Sequence, residues 1–281
     1  MTDTILEPRV GPDDRHHVQS FLMRESLLDK QVMASTDSDV VRMLPDVHVV
    51  KIGGSSILDQ GRAVTFPVVA TLGELLKGGS KLILGVGGGV RSRHVFSIGI
   101  DLGLPTGVLA QVSVADALGN AHILGTLLSP YGVVAIPPEI FGHLLPLFIH
   151  SAPGVIFNGV PPYSLWEHPP HIGRIPPHRT DTGCFLISEV FGTRSMIYVK
   201  DEDGLYTADP KKERHAKFIP RISVGELKAM DLDDVVVERA VLDIMPNAEN
   251  RRSIQIINGL VPGNLTRALE GEPVGTIITA D

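Results

Sequence analysis

Two apolar runs in this chain end in the same way. Residues 47–56, "VHVVKIGGSS", run into a lysine, two glycines and two serines, and residues 81–94, "KLILGVGGGVRSRH", run into three glycines and then residues at helical spacing. Short continuous apolar runs bounded by glycine suit strands buried on both faces, and the 3.6-residue period that follows each makes a strand–turn–helix unit. Parallel neighbours cannot be joined by a tight hairpin, so repeated units of this kind impose helical crossovers and a sheet covered by helices.

The alternation continues along the chain. "GRAVTFPVVATLGELLKG" is a predicted helix closed by a Gly pair, "VRSRHVFSIGIDLGL" a second, and "SVADALGNAHILGTLLSPYG" a third, with a Ser/Asp cap signal at its start. "VVAIPP" and "GVIFNGVPP" read as short buried strands, "RTDTGCFLISEVFG" as a helix closed by Gly192, and "SMIYVKDEDGLYTADP" as a strand leading into an acidic turn. "ISVGELKAM" and "AVLDIMPNAENRR" are helical, and "SIQIING" and "GTIITAD" are final strands. The expected fold class is α/β, a mainly parallel sheet between helix layers over residues 45–281. Residues 1–44 are polar and charged, with an amphipathic stretch, "HHVQSFLMRESLLDKQVM"; they are expected to form an extension that packs on a partner subunit or on the core, or a partly disordered arm.

The length of 281 residues allows a real core. The formal charge of −7 supplies no general field for nucleic acid. No run approaches the roughly 18 apolar residues of a membrane span, and the polar start does not read as a signal peptide. The single cysteine, Cys184, excludes an intrachain disulfide and fits a reducing compartment. Inside a predicted helix it reads as a small buried hydrophobe. The chain is expected to be cytoplasmic, with no nucleic-acid or membrane partner.

Ligands of α/β sheets bind at the carboxyl ends of parallel strands, where Lys51 lies. Gly53 and Gly54 let backbone amides approach an anion, the following helix points its positive end there, and the ammonium can neutralise a phosphoryl group. The order is not that of a Walker A loop, and a plain glycine turn beside a lysine would account for "KIGGSS" alone. The second turn, Gly87, Gly88 and Gly89 with Arg91 and Arg93 in the next helical turn, strengthens the anion reading. Arginine at a helix start opposes the dipole, so something anionic should compensate. Asp201, Glu202 and Asp203 could accept ribose hydroxyls or hold Mg²⁺ through water, or form a solvated turn. Asp181, at a helix start, could cap the helix and orient a lysine.

Taken in order, "VKIGGSS", "GVGGGVRSRH", "RTDTGCFL", "DEDGLYTADP" and "INGLVPGNLTRALEGEPVGTIIT" resemble the amino-acid-kinase superfamily over about residues 46–281. That resemblance implies a three-layer αβα sandwich in which Lys51 contacts transferring phosphate and Asp181 organises the centre. Ser55, Arg91 and Lys200 would line the nucleotide site, and the turn with Asp203, Gly204, Tyr206 and Asp209 would hold the nucleotide. "RSRHVFSIGIDLGLPTGVLA", "PPYSLW", "RIPPHRTDTGCFL" and "FIPRIS" make the chain most similar to the molybdenum-storage family. This implies a hexameric cage built with a homologous sister subunit or with itself, binding ATP with Mg²⁺ and holding molybdate or tungstate as polyoxometalate clusters. ATP hydrolysis would be coupled to storage in this chain or its partner. Lys200 departs from the ATP-holding subunit type, which carries a carboxylate there, and a cation at that position disfavours Mg²⁺.

Proline is dense over 137–177, which reads as a long, ordered and functional loop, and six of the eleven histidines fall in 122–178. Their spacing is loose for zinc, and each alone reads as an ordinary hydrogen-bonded residue. Together they suit oxoanion condensation, which consumes protons. The resemblance points to Glu139 and His150 as cluster contacts. His143 would lie one helical turn from Glu139 were that stretch helical, and His168 and His171 stand near the position of a histidine run in one subunit type. The alternatives are a nucleoside-monophosphate-type kinase, which Lys51, Gly53, Gly88 and Asp181 serve equally well, and a shell or regulatory subunit with a degenerate nucleotide site.

Overall fold

The computed structural model describes residues 40–281, apart from the side chains of 138, 139 and 141–143, together with the backbone of 8–10 and 16–18. Residues 1–40 and 41–281 form two compact units. In the first, Pro8–Val10 (β1) pairs antiparallel with His16–Val18 (β2). The start of the expected amphipathic stretch is therefore a strand, and its remainder lies outside the described residues.

The second unit is built on eight strands: Val47–Ile52 (β3), Lys81–Val86 (β4), Val133–Ala135 (β5), Gly154–Phe157 (β6), Ser195–Lys200 (β7), Arg221–Ser223 (β10), Ser253–Asn258 (β11) and Thr276–Thr279 (β12). A separate antiparallel ribbon joins Leu205–Tyr206 (β8) to Phe218–Ile219 (β9). The sheet order is β10-β12-β11-β7-β3-β4-β6-β5. Every pairing is parallel except β11 with β12, so the sheet is mainly parallel, as the alternation requires.

The helices are Arg62–Lys77 (α1), Gly89–Asp101 (α2), Thr106–Leu128 (α3), Pro138–Ser151 (α4), Thr180–Val190 (α5), Val224–Ala229 (α6), Arg239–Ile244 (α7) and Asn264–Leu269 (α8). Alternate residues of one strand serve opposite faces of a sheet. Val49, Ile83, Val155 and Tyr198 join Cys184 and Phe185 of α5 and Val241 of α7 in one core. Val50, Leu84, Ile156 and Ile197 join Leu72 of α1, Leu124 of α3 and Leu265 of α8 in the other. Two cores on the two faces of one sheet make three layers. Cys184 is fully buried, as expected of a packing residue.

The structure differs from the sequence reading at three places. Helix α3 begins at Thr106, well before the cap signal at Ser113, because Ser113 turns its hydroxyl back to donate to the Ala110 carbonyl inside the helix (2.8 Å). The Pro-rich stretch contains a full helix, α4, since Pro138 sits at its start, where no amide donor is needed, and Pro146 is carried inside it. The sheet changes polarity once, between β11 and β12, so β12 and its parallel neighbour β10 run against the other six strands. The capping box of α6 matches its sequence signal: Ser223 Oγ accepts from the Glu226 amide, and Glu226 accepts from that of Ser223.

Candidate functional site

Lys51 and Tyr198 face each other across β3 and β7, and Lys200 lies two residues beyond Tyr198 on the same face of the sheet. Helix α5 covers that face and presents Asp181 in its first turn. Lys51 Nζ lies 2.7 Å from Asp181 Oδ1, a charge pairing off the hydrogen-bond line, while Lys200 Nζ donates to Oδ2 at 3.5 Å. The Tyr198 hydroxyl donates to the Asp181 carbonyl at 3.0 Å, tying the helix start to the strand.

Burial alone would raise the Asp181 pKa, but the two ammoniums hold it well below the usual carboxylate range. Burial opposes charge on Lys51 too, yet the Asp181 carboxylate keeps its pKa above the ordinary lysine value. Lys200 goes the other way: burial, with a share from Lys51, outweighs Asp181 and lowers it. Two ammoniums share one carboxylate, so this end of the sheet favours a further anion.

The glycine turns form one wall. A Cβ on Gly54 would lie 2.3 Å from the Gly89 amide nitrogen and 2.5 Å from the Gly87 carbonyl oxygen. The turns therefore touch backbone to backbone, reinforced by a bond from the Gly87 amide to the Ile52 carbonyl (3.1 Å). Gly89 holds φ +70°. The anion expected at the start of α2 is Asp59, whose Oδ2 accepts from the Val90 amide at 2.7 Å. Arg93 reaches Ser55 Oγ at 3.5 Å and lines the cavity, whereas Arg91 does not line it and donates to Oδ1 of Asn120, whose Nδ2 in turn holds the Gly87 carbonyl.

The facing wall, residues 234–238, was not assigned from the sequence. Buried Glu238 accepts from the amides of Arg179, Asp181 and Thr182 at 2.9–3.0 Å and from Thr182 Oγ1 at 2.7 Å, so it caps α5 from a distant segment. The signal was an acid directly after the apolar run of "VVVE", in which Val235 and Val237 are buried, since a charge there needs partners. Val236 holds φ +63°, a conformation that costs a β-branched residue about 1–3 kcal/mol.

Between the walls lies a cavity of about 400 Å³ that Lys51, Gly53, Gly54, Ser55, Gly87, Gly88, Gly89, Asp181 and Lys200 all line. Its lining carries Lys51, Lys200, Arg93 and Arg179 against Asp181, Asp201, Asp234 and Glu238. Lys211 pairs with Asp201 at 2.9 Å, and helix amides engage Glu238, which leaves the lysine end the more positive. The same arrangement fits a protein-held Mg²⁺ poorly, because Asp181 is already shared by two ammoniums and Asp201 and Glu202 are both bound to Lys211.

The expected nucleotide turn lies elsewhere. Asp203 and Tyr206 line a separate cavity of about 520 Å³ with Phe218, Asn264 and Arg267. Gly204 (φ +148°) packs against Thr276, and Asp209 folds onto its own turn, accepting from the Lys211 amide at 2.9 Å and pairing with Lys212 at 3.1 Å. Glu139 and His143 lie on α4, with side chains outside those described. His150 and His171 are exposed, and His168 meets His178 edge to face with ring centroids 5.1 Å apart. No helix among the described residues is long and apolar enough to cross a membrane.

Comparison with known proteins agrees with this architecture. Residues 46–258 match the amino acid kinase family. The chain is 50% identical over 267 residues, 94% of its length and 97% of the relative's, to "Molybdenum storage protein subunit beta" of Azotobacter vinelandii. It is 32% identical over 244 residues, 83% of its length and 97% of the relative's, to a uridylate kinase of Thermofilum pendens. The solved structure of uridylate kinase from Archaeoglobus fulgidus superposes with a TM-score of 0.64 at 23% identity, covering 83% of this chain and 100% of that one, a likeness of fold. With its mainly parallel sheet, its paired glycine turns and its Lys51–Asp181 strand end, the chain belongs to the amino acid kinase family, with a molybdenum storage subunit and uridylate kinases among its relatives.

Proposed function

We propose that this chain is a molybdenum or tungsten oxoanion storage subunit that binds ATP and holds molybdate or tungstate as polyoxometalate clusters inside an oligomeric cage. One observation carries the reading: half of its residues are identical, across nearly the whole chain, to those of a molybdenum storage subunit. The Lys51–Asp181–Lys200 group supports it, since a strand end with two ammoniums on one carboxylate suits the phosphates of a nucleotide. Lys51, Lys200 and the amides of Gly54, Gly88 and Gly89 would hold the phosphate oxygens, with Asp181 keeping both lysines in place and Gly53 and Gly87, whose amides are bonded to Val199 and Ile52, leaving room for the anion. Mg²⁺ would enter with the triphosphate. Asp203 and Tyr206 would serve the rest of the nucleotide from the second cavity, with Gly204 and Asp209 shaping the turn that carries them. Glu139, His143, His150 and His171 would face oxoanions in the assembled cage, and residues 1–44 would pack on a neighbouring subunit, the sister chain or a copy of this one.

Purified protein incubated with ATP, Mg²⁺ and molybdate is expected to retain many metal atoms per chain through desalting. Metal analysis that finds none, with and without ATP, rejects the reading. The second reading is a nucleoside-monophosphate-type kinase, favoured by the 32% identity to a uridylate kinase and by the same Lys51–Asp181 pair. Phosphorylated product from a panel of nucleoside monophosphates would select it.

A further inference from the structure

The loop from Asn158 to Arg179 leaves β6 and returns at the first turn of α5, beside Asp181. Its outgoing and returning limbs are joined by Glu167 and His178. Glu167 Oε2 accepts from the His178 amide at 3.2 Å, and Oε1 faces His178 Nδ1 at 3.0 Å. His168 Nε2 lies 3.9 Å from the same Oε1. The Glu167 side chain is only 1% exposed, and among the described residues no lysine or arginine pairs with it.

We propose that Glu167, His168 and His178 form a site for a divalent transition-metal ion that clasps this loop to the start of α5. The three donor atoms lie within 4.8 Å of one another. Metal–ligand bonds of about 2.0–2.2 Å in a tetrahedron put donors roughly 3.3 Å apart, so the His178–Glu167 pair already has the spacing, and exposed His168 closes the remainder by a small rotation. His168 Nδ1 lies 3.2 Å from the Pro169 carbonyl. A proton held there leaves the Nε2 lone pair turned toward Glu167, the support that metal-binding imidazoles usually have from a neighbouring carbonyl.

The buried carboxylate sets the sign of the ligand. It repels molybdate or phosphate and attracts a cation, so these imidazoles serve a different ion from the one expected of His168 in the sequence. Two imidazole nitrogens and one carboxylate select Zn²⁺, Co²⁺ or Ni²⁺ over Mg²⁺ or Ca²⁺, which prefer all-oxygen shells. The fourth position, on the exposed His168 side, is open to water. The site stands independently of the storage reading.

The test is titration of the chelator-stripped full chain with Co²⁺, followed by visible absorption. The expected result is one Co²⁺ per chain with the intense bands of a four- or five-coordinate ion, displaced by Zn²⁺, and a thermal midpoint raised by the metal. His168→Ala is expected to lower affinity at least about tenfold and to abolish the thermal shift, while His171→Ala changes neither. Glu167→Gln should act likewise, but its burial endangers folding, so exposed His168 decides. No Co²⁺ uptake, uptake that survives His168→Ala, or equal loss in His171→Ala overturns the proposal.

Discussion

Asp181 and Glu238 hold each other by reciprocal hydrogen bonds: the Asp181 amide donates to Glu238 Oε1 at 3.0 Å, and the Glu238 amide donates to Asp181 Oδ2 at 3.3 Å. This is the logic of a capping box written across two segments distant in sequence. It fixes the carboxylate between the two lysines without using a residue of the glycine turns.

Glu238→Ala is therefore expected to destabilise the protein by about 3 kcal/mol, because three amides and the Thr182 hydroxyl lose their acceptor in a buried place. Glu238→Gln keeps one acceptor oxygen and should cost about half as much. Urea unfolding of the three proteins measures both.

Lys51→Ala and Lys200→Ala should each weaken ATP binding about ten- to hundredfold, the worth of one charge-assisted contact. Their pH profiles should differ. Lys51 is held above the ordinary lysine value and Lys200 below it, so rising pH strips Lys200 first. Calorimetric titration should show an alkaline loss of affinity that Lys200→Arg removes.

His48 sits buried at the start of the strand interior, with Nδ1 2.8 Å from Ser195 Oγ. Burial, with the nearby Arg194 and Arg251 charges, lowers its pKa from 6.5 to about 4. The unfolded chain then takes up the proton before the folded one does. Stability from this residue is full above about pH 6.5 and is lost as pH falls toward 4. Chemical denaturation at pH 7 and pH 4.5 should show a smaller acid loss in His48→Gln than in the parent.

Gly54→Ala should destabilise by about 1–3 kcal/mol and reduce nucleotide affinity, since its new Cβ meets backbone of the facing turn at 2.3 Å and neither turn can yield alone. Gly61→Ala meets no atom within 4 Å but carries φ +76°, so it loses stability through backbone strain while leaving affinity unchanged. Thermal melts paired with ATP titration separate the two effects.

The layers of this fold could be read from period and punctuation. "VHVVKI" and "KLILGV" became adjacent parallel strands because continuous apolar runs cannot be satisfied on one face alone. Lys51, the glycine turns and Asp181 converged because each stands at a strand end or a helix start, which local signals mark. Glu238 could be marked in sequence only as an acid in need of partners: those partners lie far away along the chain, and the tertiary path of 231–238 brings them near. The helix α4 was hidden by proline, which reads as loop although Pro138 occupies a position that tolerates it. Glu167 and His178, eleven residues apart, met through a loop whose path no periodicity encodes.

The contact of Gly54 with Gly89 leaves those two turns no room to approach further. Any tightening of the protein around a guest must come from the other bank, where Val236 is already held in a costly conformation and the 158–179 loop returns to α5. Selection for a new ligand could therefore rework that bank while the glycine bank stayed as a fixed anvil.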